Sequence, residues 1–400
     1  MKKISTILLF ILSVSALAWF LPWLYAYAFP APTSEPFLSY SPIINKWILT
    51  EEGKYSDTDG NKYSIKERDG LLPQLYYRDL MAQNRMPDSI NGVEVDVPSL
   101  RHAELFFTSN QRDINKVTAD LYLIMESMPE RVDLENPKEA FRADGKIEFI
   151  NLETNQVYPK RSRLFSETFK ARGFQYAIKW AHANITARKQ YDEGYLLIDN
   201  AGSLYHLKQQ VGRPYLAKVN TDTVKCSYAF ILESMDRSVL GFVISDKDDM
   251  YILRNDGGYS LEKLPVGKIN PGVDRINVLG NLFNRVLRFS HPGETRWFAV
   301  DTKTNALLDS YTFTAEKTLS KKISGYIFPF VLTFHSNYDS FGKPRISSVS
   351  CNALVLNFLL AIILMGIFYK QNKRCAISGA IVTLFFGVYS FIAFYLLKKS

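Results

Sequence analysis

The sequence predicts a mainly β protein: an exported domain of propeller-like, repeated β-sheets with a mixed α/β amino-terminal part, joined to three transmembrane helices. Three observations support this fold class. Aromatic residues make up 14% of the chain, and they are enriched in strands. Short β-type runs recur between residues 145 and 320. Long apolar runs lie at both ends of the chain.

The basic excess of the chain lies at its two ends. The formal net charge is +8, from 48 Lys and Arg against 40 Asp and Glu. Residues 1–29 and 321–400 hold eleven of the basic residues and one acid, which leaves 37 basic and 39 acidic residues between them. Basic residues beside apolar segments orient membrane spans. We therefore expect a membrane partner and no nucleic-acid binding.

Residues 1–29 are expected to form an uncleaved transmembrane anchor, because the uncharged run exceeds the roughly 20 residues that span a bilayer. A secretory signal peptide is the alternative. Further spans are predicted at 351–369 and 376–397, separated by the basic loop Lys370–Arg374. Placing this loop in the cytoplasm predicts an inner-membrane protein with a cytoplasmic amino terminus and a large periplasmic domain. The terminal pair Lys398–Lys399 does not fit this topology.

The regions flanking the exported domain carry weaker signals. Residues 321–350 are expected to be a juxtamembrane segment. Within it, Tyr326–Phe334 is apolar but too short to span, so it predicts either an interfacial segment or a last core strand. The three cysteines form no disulfide framework or zinc motif, and Cys226 is expected in the core.

The segment 30–144 is predicted to be mixed α/β. Strands are expected at Trp47–Thr50 and Lys62–Ile65, and helices after Pro73 and near Ser99. The sequence Asp57-Thr58-Asp59-Gly60-Asn61 resembles part of a calcium loop, but the later ligands are missing at the required spacing. A hairpin turn is the favoured interpretation.

A repeat organises residues 145–320. Four short apolar runs end at Asn151, Asp199, Asp246 and Asp301, spaced by 48, 47 and 55 positions. A second run follows each of them, and a third run follows two of them. Four-stranded propeller blades repeat at about 40 to 50 residues. The region therefore predicts propeller-like sheets, with an irregular two-sheet assembly as the alternative.

The clearest unit of this repeat is Tyr191–Val219, which predicts a β-hairpin around Asp199–Gly202. Closing that four-residue turn pairs Ile198 with Ser203 and Tyr195 with His206. Both faces of the hairpin are then largely apolar, as expected for a sheet covered on both sides.

The candidates for chemistry lie in this same hairpin: Asp192, Glu193, Asp199 and His206. Three carboxylates and an imidazole could form a binding or acid–base site. The structural alternative pairs Glu193 with Lys208, lets Asp199 begin the turn and places His206 among apolar neighbours. No catalytic residue, metal site or cofactor is predicted.

The runs FRADGKIEFINLETN and ARKQYDEGYLLIDNAGSLYHLK, with one amino-terminal and two carboxy-terminal spans, resemble an uncharacterised family of bacterial envelope proteins. This family is a domain of unknown function found mainly in Bacteroides-type bacteria. The resemblance implies an inner-membrane accessory protein working beside an ABC-type transporter permease. It implies no catalytic residues.

Two functions follow as hypotheses. The first is a non-enzymatic, membrane-anchored protein whose exported β domain binds or assembles a partner. Gly379, Thr383 and Gly387 offer such a protein a small-residue face for another membrane helix. The second is an envelope enzyme or ligand sensor with a site on the propeller-like domain, where acids would converge unpaired.

Overall fold

The structure is a computed structural model that describes residues 2–31, 35–117 and 119–399. It divides into two compact units. The β unit runs from Pro36 to Thr314. The helical unit is formed by the two chain ends, up to Glu35 and from Ala315 onward.

The secondary structure is mostly β. The helices are α1 (Lys2–Ala28), α2 (Ile65–Leu71), α3 (Pro73–Ala82), α4 (Val97–His102), α5 (Gln111–Ile114), α6 (Pro159–Ala171), α7 (Leu319–Ile327), α8 (Ala353–Phe368) and α9 (Lys373–Lys399). The first strands are β1 (Phe37–Ser41), β2 (Lys46–Glu51), β3 (Lys54–Asp57), β4 (Lys62–Tyr63), β5 (Ser89–Ile90), β6 (Val93–Glu94), β7 (Leu105–Ser109), β8 (Leu121–Leu123), β9 (Glu139–Ala143), β10 (Ile147–Asn151), β11 (Ile178–His182) and β12 (Tyr195–Asp199). The later strands are β13 (Leu204–Gln210), β14 (Arg213–Lys218), β15 (Cys226–Ile231), β16 (Val239–Ser245), β17 (Asp249–Asn255), β18 (Tyr259–Lys268), β19 (Arg275–Gly280), β20 (Asn284–His291), β21 (Glu294–Asp301), β22 (Leu307–Thr314), β23 (Phe330–Thr333) and β24 (Arg345–Val349).

The β unit consists of several antiparallel sheets. Three are four-stranded meanders, with the orders β1-β2-β3-β4, β11-β12-β13-β14 and β15-β16-β17-β18. A five-stranded sheet has the order β22-β21-β20-β19-β7, so an early strand completes a late sheet. Strands β10-β9-β8 form a three-stranded sheet, and β5-β6 a small hairpin. A mainly β fold is therefore confirmed, whereas a closed ring of blades is not shown.

The meander β15-β16-β17-β18 is covered on both faces at its strand β16. All seven residues of β16 are buried. Phe242 and Ile244 pack into one hydrophobic cluster, while Val243, which lies between them, packs into another. Alternate side chains of one strand thus enter two different cores, as expected for a sheet sandwiched between neighbours.

The predicted repeat is present in part. Its third strands are β14 and β18, as expected. Its first unit departs from prediction: after β10, Val157 forms only an isolated bridge with Ile150, and α6 begins at Pro159. Proline is favoured in the first turn of a helix and cannot continue a sheet ladder. The segment therefore packs a helix where a strand is expected.

The early elements are largely as predicted. Helix α3 begins at Pro73, and α4 includes Ser99. Residues Leu105 and Phe106 are strand instead of helix, because β7 pairs with β19, more than 160 positions later in the chain. Ile65 opens helix α2 and does not extend β4.

Among the described residues, two helical segments qualify by total length and composition as candidate membrane spans, Ile4–Ala28 and Lys373–Lys398. Helix α8 is apolar but shorter, at 16 residues. Three spans are therefore not shown. The segment Tyr326–Phe334 ends α7 and forms β23, which pairs with β24 within this unit.

Helix α9 is not one straight rod. Gly387 interrupts it with φ +57° and ψ −134°. A Cβ on Gly379 would lie 2.8 Å from the ring of Phe394 in the same helix, whereas fifteen residues of straight helix would separate them by about 22 Å. The two halves therefore fold back on each other as a helical hairpin, which departs from the prediction of a continuous span at 376–397.

The fold-back also changes the interpretation of the small residues. Gly379 packs against Phe394 of its own hairpin and against Leu364 of α8. Thr383 and Ala380 are buried as well. This small-residue face is thus used within the helical unit.

Candidate functional site

The hairpin β12–β13 that carries the predicted site residues is formed, but its register is shifted by one residue. Ile198 pairs with Leu204, and Tyr195 pairs with Leu207. The reason is that Asp199 belongs to the strand and faces Ser203: the Asp199 N–H donates to the Ser203 carbonyl at 3.1 Å, which leaves only residues 200–202 in the loop. Gly202, at φ +82°, supplies the left-handed residue that closes this three-residue loop.

Both faces of the hairpin are apolar, as predicted, although their membership differs. One hydrophobic cluster takes Tyr195, Leu197, Tyr205 and Leu207. The other takes Leu196, Ile198 and Leu204. The hairpin therefore lies between two hydrophobic clusters and contributes one face to each.

Asp199 lies at the turn end of this hairpin, away from the other three candidates. Its carboxylate accepts hydrogen bonds from the backbone N–H groups of Ala201, Ser203 and Gln175, at 3.0, 2.9 and 3.2 Å. Asp199 is 1% exposed. It therefore holds the turn and is not brought together with Asp192, Glu193 and His206.

The same turn device recurs along the repeat. The side chains of Asn151 and Asp301 accept backbone N–H groups two and three residues later. In the third unit, Ser245 plays this role for Lys247 and Asp249. Ser245, not Asp246, is thus the structural equivalent there. The polar residues at the ends of the first strands of the repeat therefore stabilise turns.

A buried ion cluster lies at the opposite end of the hairpin. The Lys189 ammonium is 2.6 Å from carboxylate oxygens of both Asp192 and Glu233. The three side chains are only 7%, 1% and 3% exposed. Ser127 donates to Asp192 at 2.5 Å, and Asn184 donates to Glu233 at 2.9 Å. Burial raises the pKa of Glu233, while the Lys189 ammonium opposes that rise.

Glu193 makes the cross-strand ion pair with Lys208 that the sequence predicts. Its backbone N–H donates to Glu233 at 2.8 Å, which ties this pair to the ion cluster. The next residue, Gly194, has φ +66°, and a Cβ there would lie 2.2 Å from the Leu207 carbonyl oxygen. Glycine is therefore required at the point where the chain enters β12.

His206 is completely buried between two sheets. Its Nε2 lies 2.6 Å from the Glu193 carbonyl oxygen, so Nε2 donates the proton. Its Nδ1 lies 2.8 Å from the Tyr259 hydroxyl, which must then be the donor. Burial lowers the pKa of His206 to about 4, because desolvation penalises the imidazolium. Tyr259 in turn lies 3.1 Å from the Tyr215 hydroxyl.

Three of the four candidates thus join one internal network. Asp192, Glu193 and His206 have all their close polar partners within the β unit. The network links β12–β13 to residues that follow β15 and to β18. This geometry is that of a polar junction between sheets.

A different feature of the β unit is open to a ligand. A cavity of about 480 Å³ is bounded by edge strands of four sheets: β7, β8, β11 and β15. We call it the sheet-edge cavity. An edge strand carries unpaired backbone groups, so such walls offer hydrogen bonds to a bound chain.

Side chains fill part of these edges. The Trp180 indole donates to the Ala229 carbonyl at 2.6 Å, and the Tyr195 hydroxyl donates to the Leu123 carbonyl. The Ile231 N–H donates to Nδ1 of His182 at 3.1 Å. His182 is therefore neutral with its proton on Nε2. Desolvation lowers the pKa of His182 to about 4, and the nearby Lys116 adds to this effect.

The cavity is aromatic inside and charged at its mouth. Tyr122, Trp180 and Phe230 line it. Lys116, Lys179 and Asp113 also line it and are exposed. The charged lining groups therefore sum to one positive charge. This composition suits an extended ligand with acidic groups.

Sequence reasoning missed this cavity. Its walls come from chain positions between 108 and 230, and no local motif marks them. The one available signal is the short strand Ile178–His182, in which a Trp and a His alternate.

The Asp57–Asn61 loop is a hairpin turn between β3 and β4, as favoured by the sequence. Asp57 accepts hydrogen bonds from Asn61 and from the Tyr63 hydroxyl, both at 2.8 Å. Burial opposes ionisation, but these hydrogen bonds prevail and lower the pKa of Asp57 to about 2. Within residues 2–31, 35–117 and 119–399, no group of three or more His, Cys, Asp or Glu is placed to hold a metal ion.

Comparison with known proteins gives one family match. No curated protein matches the chain. Among solved structures, the β-propeller domain of Cps50 (Swd1) from Myceliophteria thermophila is similar at 13% identity and a TM-score of 0.28. That similarity covers 50% of this chain and 58% of the propeller chain. The family described as "Domain of unknown function (DUF4857)" matches residues 37–300, and the chain belongs to this family.

Proposed function

We propose that this protein is a membrane-anchored binding protein whose β unit captures an extended, acidic segment of a partner in the sheet-edge cavity. The observation that carries the proposal is the wall of this cavity, which is made from the edges of four sheets. An extended peptide recognises a sheet edge by pairing with its backbone. Lys116 and Lys179 favour an acidic ligand.

Binding is better supported than catalysis. Enzymatic sites place titratable groups where a substrate can reach them. Here Asp192, Glu193 and His206 are engaged with one another or with Lys189, Lys208 and Tyr259. The alternative of an envelope enzyme centred on these residues therefore has less support than a binding function.

Anchoring is proposed from α1. Its segment Ile4–Ala28 is uncharged and only 11% of its most apolar window is buried, so its apolar surface is open to lipid. The basic residues at the chain ends favour an inner-membrane location with the β unit on the periplasmic side. The resemblance suggests an ABC-type transporter permease as the partner.

Site-specific photocrosslinking in intact membranes tests the binding proposal. A photoreactive phenylalanine analogue is placed in the full chain at Leu121, which lines the cavity and is 45% exposed. Leu152 lies outside the cavity and is 44% exposed, which makes it a matched control. We expect one discrete polypeptide adduct from position 121 and none from position 152.

Charge reversal adds specificity to this test. Lys179→Glu should abolish the adduct, because it reverses the charge at the cavity mouth. Lys170→Glu, at an exposed lysine at the end of α6, should leave the adduct unchanged. Equal adducts from positions 121 and 152, or an adduct that survives Lys179→Glu, would contradict the proposal.

A further inference from the structure

The hairpin of α9 has an uncharged tip, and its basic residues lie at its open end, which we call its base. Between Arg345 and the carboxy terminus there is no acidic residue, and the basic residues are Lys370, Lys373, Arg374, Lys398 and Lys399. Lys370, Lys373, Arg374 and Lys398 are all exposed. The segment between Arg374 and Lys398 carries no charge.

Contacts between the two arms bring these basic residues to one end. The Phe394 ring lies 5.6 Å from the ring of Phe368, near the end of α8, and it touches the position of Gly379. Lys398 is one helical turn beyond Phe394, and Lys373 lies beyond Gly379 in the same direction. The fold-back thus returns Lys398 to the end that holds the Lys370–Arg374 loop.

The arms are too short to cross a bilayer singly. Lys373–Phe386 is about 21 Å long and Val388–Lys399 about 18 Å, at about 1.5 Å per residue. The hydrocarbon core is about 30 Å thick. A hairpin of this length that enters from one leaflet ends inside the hydrocarbon.

Side chains satisfy backbone carbonyls near the tip of the hairpin, as a position inside the hydrocarbon requires. Backbone groups in hydrocarbon must be satisfied within the protein. The Asn357 amide of α8 donates to the Leu384 carbonyl at 3.0 Å, and Ser390 donates to the Gly387 carbonyl at 3.0 Å. Thr383 donates to the Gly379 carbonyl at 2.8 Å. Side-chain donors therefore satisfy the backbone carbonyls of Leu384 and Gly387 at the break in the helix.

We infer that α9 is a re-entrant hairpin, and that the basic cluster at its base, Lys370, Lys373, Arg374 and Lys398, binds anionic phospholipid headgroups of one leaflet. This inference rests on the membrane anchoring proposed above. Basic residues beside a membrane segment attract anionic lipid. The topology also explains the terminal lysines, which a single span would leave on the wrong side.

Cysteine labelling tests the topology. In full chains with Cys351→Ser and Cys375→Ser, single cysteines are introduced at Gln371, Lys398 or Phe341; Cys226 is retained because it is 1% exposed. Phe341 lies in the β23–β24 loop and is exposed. A membrane-impermeant maleimide is applied to right-side-out and inverted vesicles.

We expect Gln371→Cys and Lys398→Cys to react from the same side, and Phe341→Cys from the other. Reaction of Lys398→Cys together with Phe341→Cys would overturn the hairpin and support a single span. Release of the chain by carbonate, with all three positions reacting from both sides, would instead refute membrane anchoring itself.

Retained lipid tests the headgroup assignment. The full chain is extracted from vesicles of phosphatidylglycerol and phosphatidylcholine, and native mass spectrometry counts the lipids that remain bound. We expect phosphatidylglycerol to be favoured at least about tenfold. Lys373→Gln/Arg374→Gln/Lys398→Gln should remove this preference, whereas the matched triple variant Lys321→Gln/Lys322→Gln/Lys343→Gln should keep it. Equal retention of both lipids by the unmodified chain, or the reverse response of the two triple variants, would overturn the assignment.

Discussion

The Tyr259 hydroxyl donates to Nδ1 of His206 at 2.8 Å. This hydrogen bond joins β18 of one meander to β13 of the meander that precedes it in the chain. The donor is determined by the other ring nitrogen, because Nε2 already donates to the Glu193 carbonyl. The single histidine of the candidate site is thus a buried connector. Both of its ring nitrogens are hydrogen-bonded, one to Tyr259 and the other to Glu193.

Replacing His206 should therefore reduce stability. His206→Leu leaves the buried Glu193 carbonyl without its donor and the Tyr259 hydroxyl with only Tyr215 as a partner. An unpaired buried polar group costs about 1 to 3 kcal/mol, and the second lost hydrogen bond adds to that cost. We expect the free energy of unfolding to fall by about 2 to 4 kcal/mol, measured by denaturant titration. Tyr215→Phe removes only the outer, exposed hydroxyl and should cost less than about 1 kcal/mol. Equal effects of the two changes would contradict the connector role.

Stability should depend on pH through the two low-pKa histidines. His206 and His182 stay neutral in the folded chain down to about pH 4, whereas an unfolded histidine takes up a proton near pH 6.5. The unfolded state binds more protons between these values, so the free energy of unfolding should fall as pH is lowered from 6.5 to 4.

The slope can be assigned with one substitution. Each histidine contributes up to about 1.4 kcal/mol per pH unit. His182→Gln keeps an acceptor for the Ile231 N–H and should remove about half of the slope between pH 6.5 and 5. Melting temperatures across this range measure it. If His182→Gln left the pH dependence of stability unchanged, His182 would bind the same number of protons in the folded and unfolded states, which would contradict its lowered pKa in the folded chain.

Lys189 should matter more than any surface lysine. Lys189→Met leaves the buried carboxylates of Asp192 and Glu233 without their cation, and breaking a buried pair costs about 3 to 5 kcal/mol. The loss of free energy relative to the unmodified chain should shrink at low pH, because burial raises the pKa of Glu233 and a protonated Glu233 needs no cation. Arg163→Met, in an ion pair whose side chains are 82% and 62% exposed, should cost less than about 1 kcal/mol. Denaturant titrations of both variants at pH 7 and pH 5 compare them.

The fold was predictable where local pattern and pairing agree. The hairpin at Asp199 and the third strands β14 and β18 follow from alternating apolar runs and turn residues. The failures come from pairing over long distances. Phe106 belongs to a strand because β19 lies beside it, and nothing local to residue 106 indicates that.

The polar contacts of the candidate site were predictable only in part. The Glu193–Lys208 ion pair was predicted and is present, although the observed register no longer sets the two residues directly opposite each other. The one-residue shift of register escaped prediction, because the sequence does not show whether Asp199 belongs to the turn or pairs with Ser203. Glu233, which completes the ion cluster with Lys189 and Asp192, lies 44 positions after Lys189 and carries no sequence signal.

Gly387 should be essential for the fold-back of α9. It has φ +57°, where a side chain is strained, and a Cβ there would lie 2.2 Å from Oδ1 of Asn357 and 3.1 Å from Pro329. Gly387→Ala should therefore lower the melting temperature of the full chain in detergent by several degrees, since it combines positive-φ strain with a steric clash. Gly366→Ala is the matched control, because Gly366 lies in α8 with nothing within 4 Å of its Cβ position, and alanine favours helix. A melting temperature that Gly387→Ala leaves unchanged would mean that α9 does not turn at this residue.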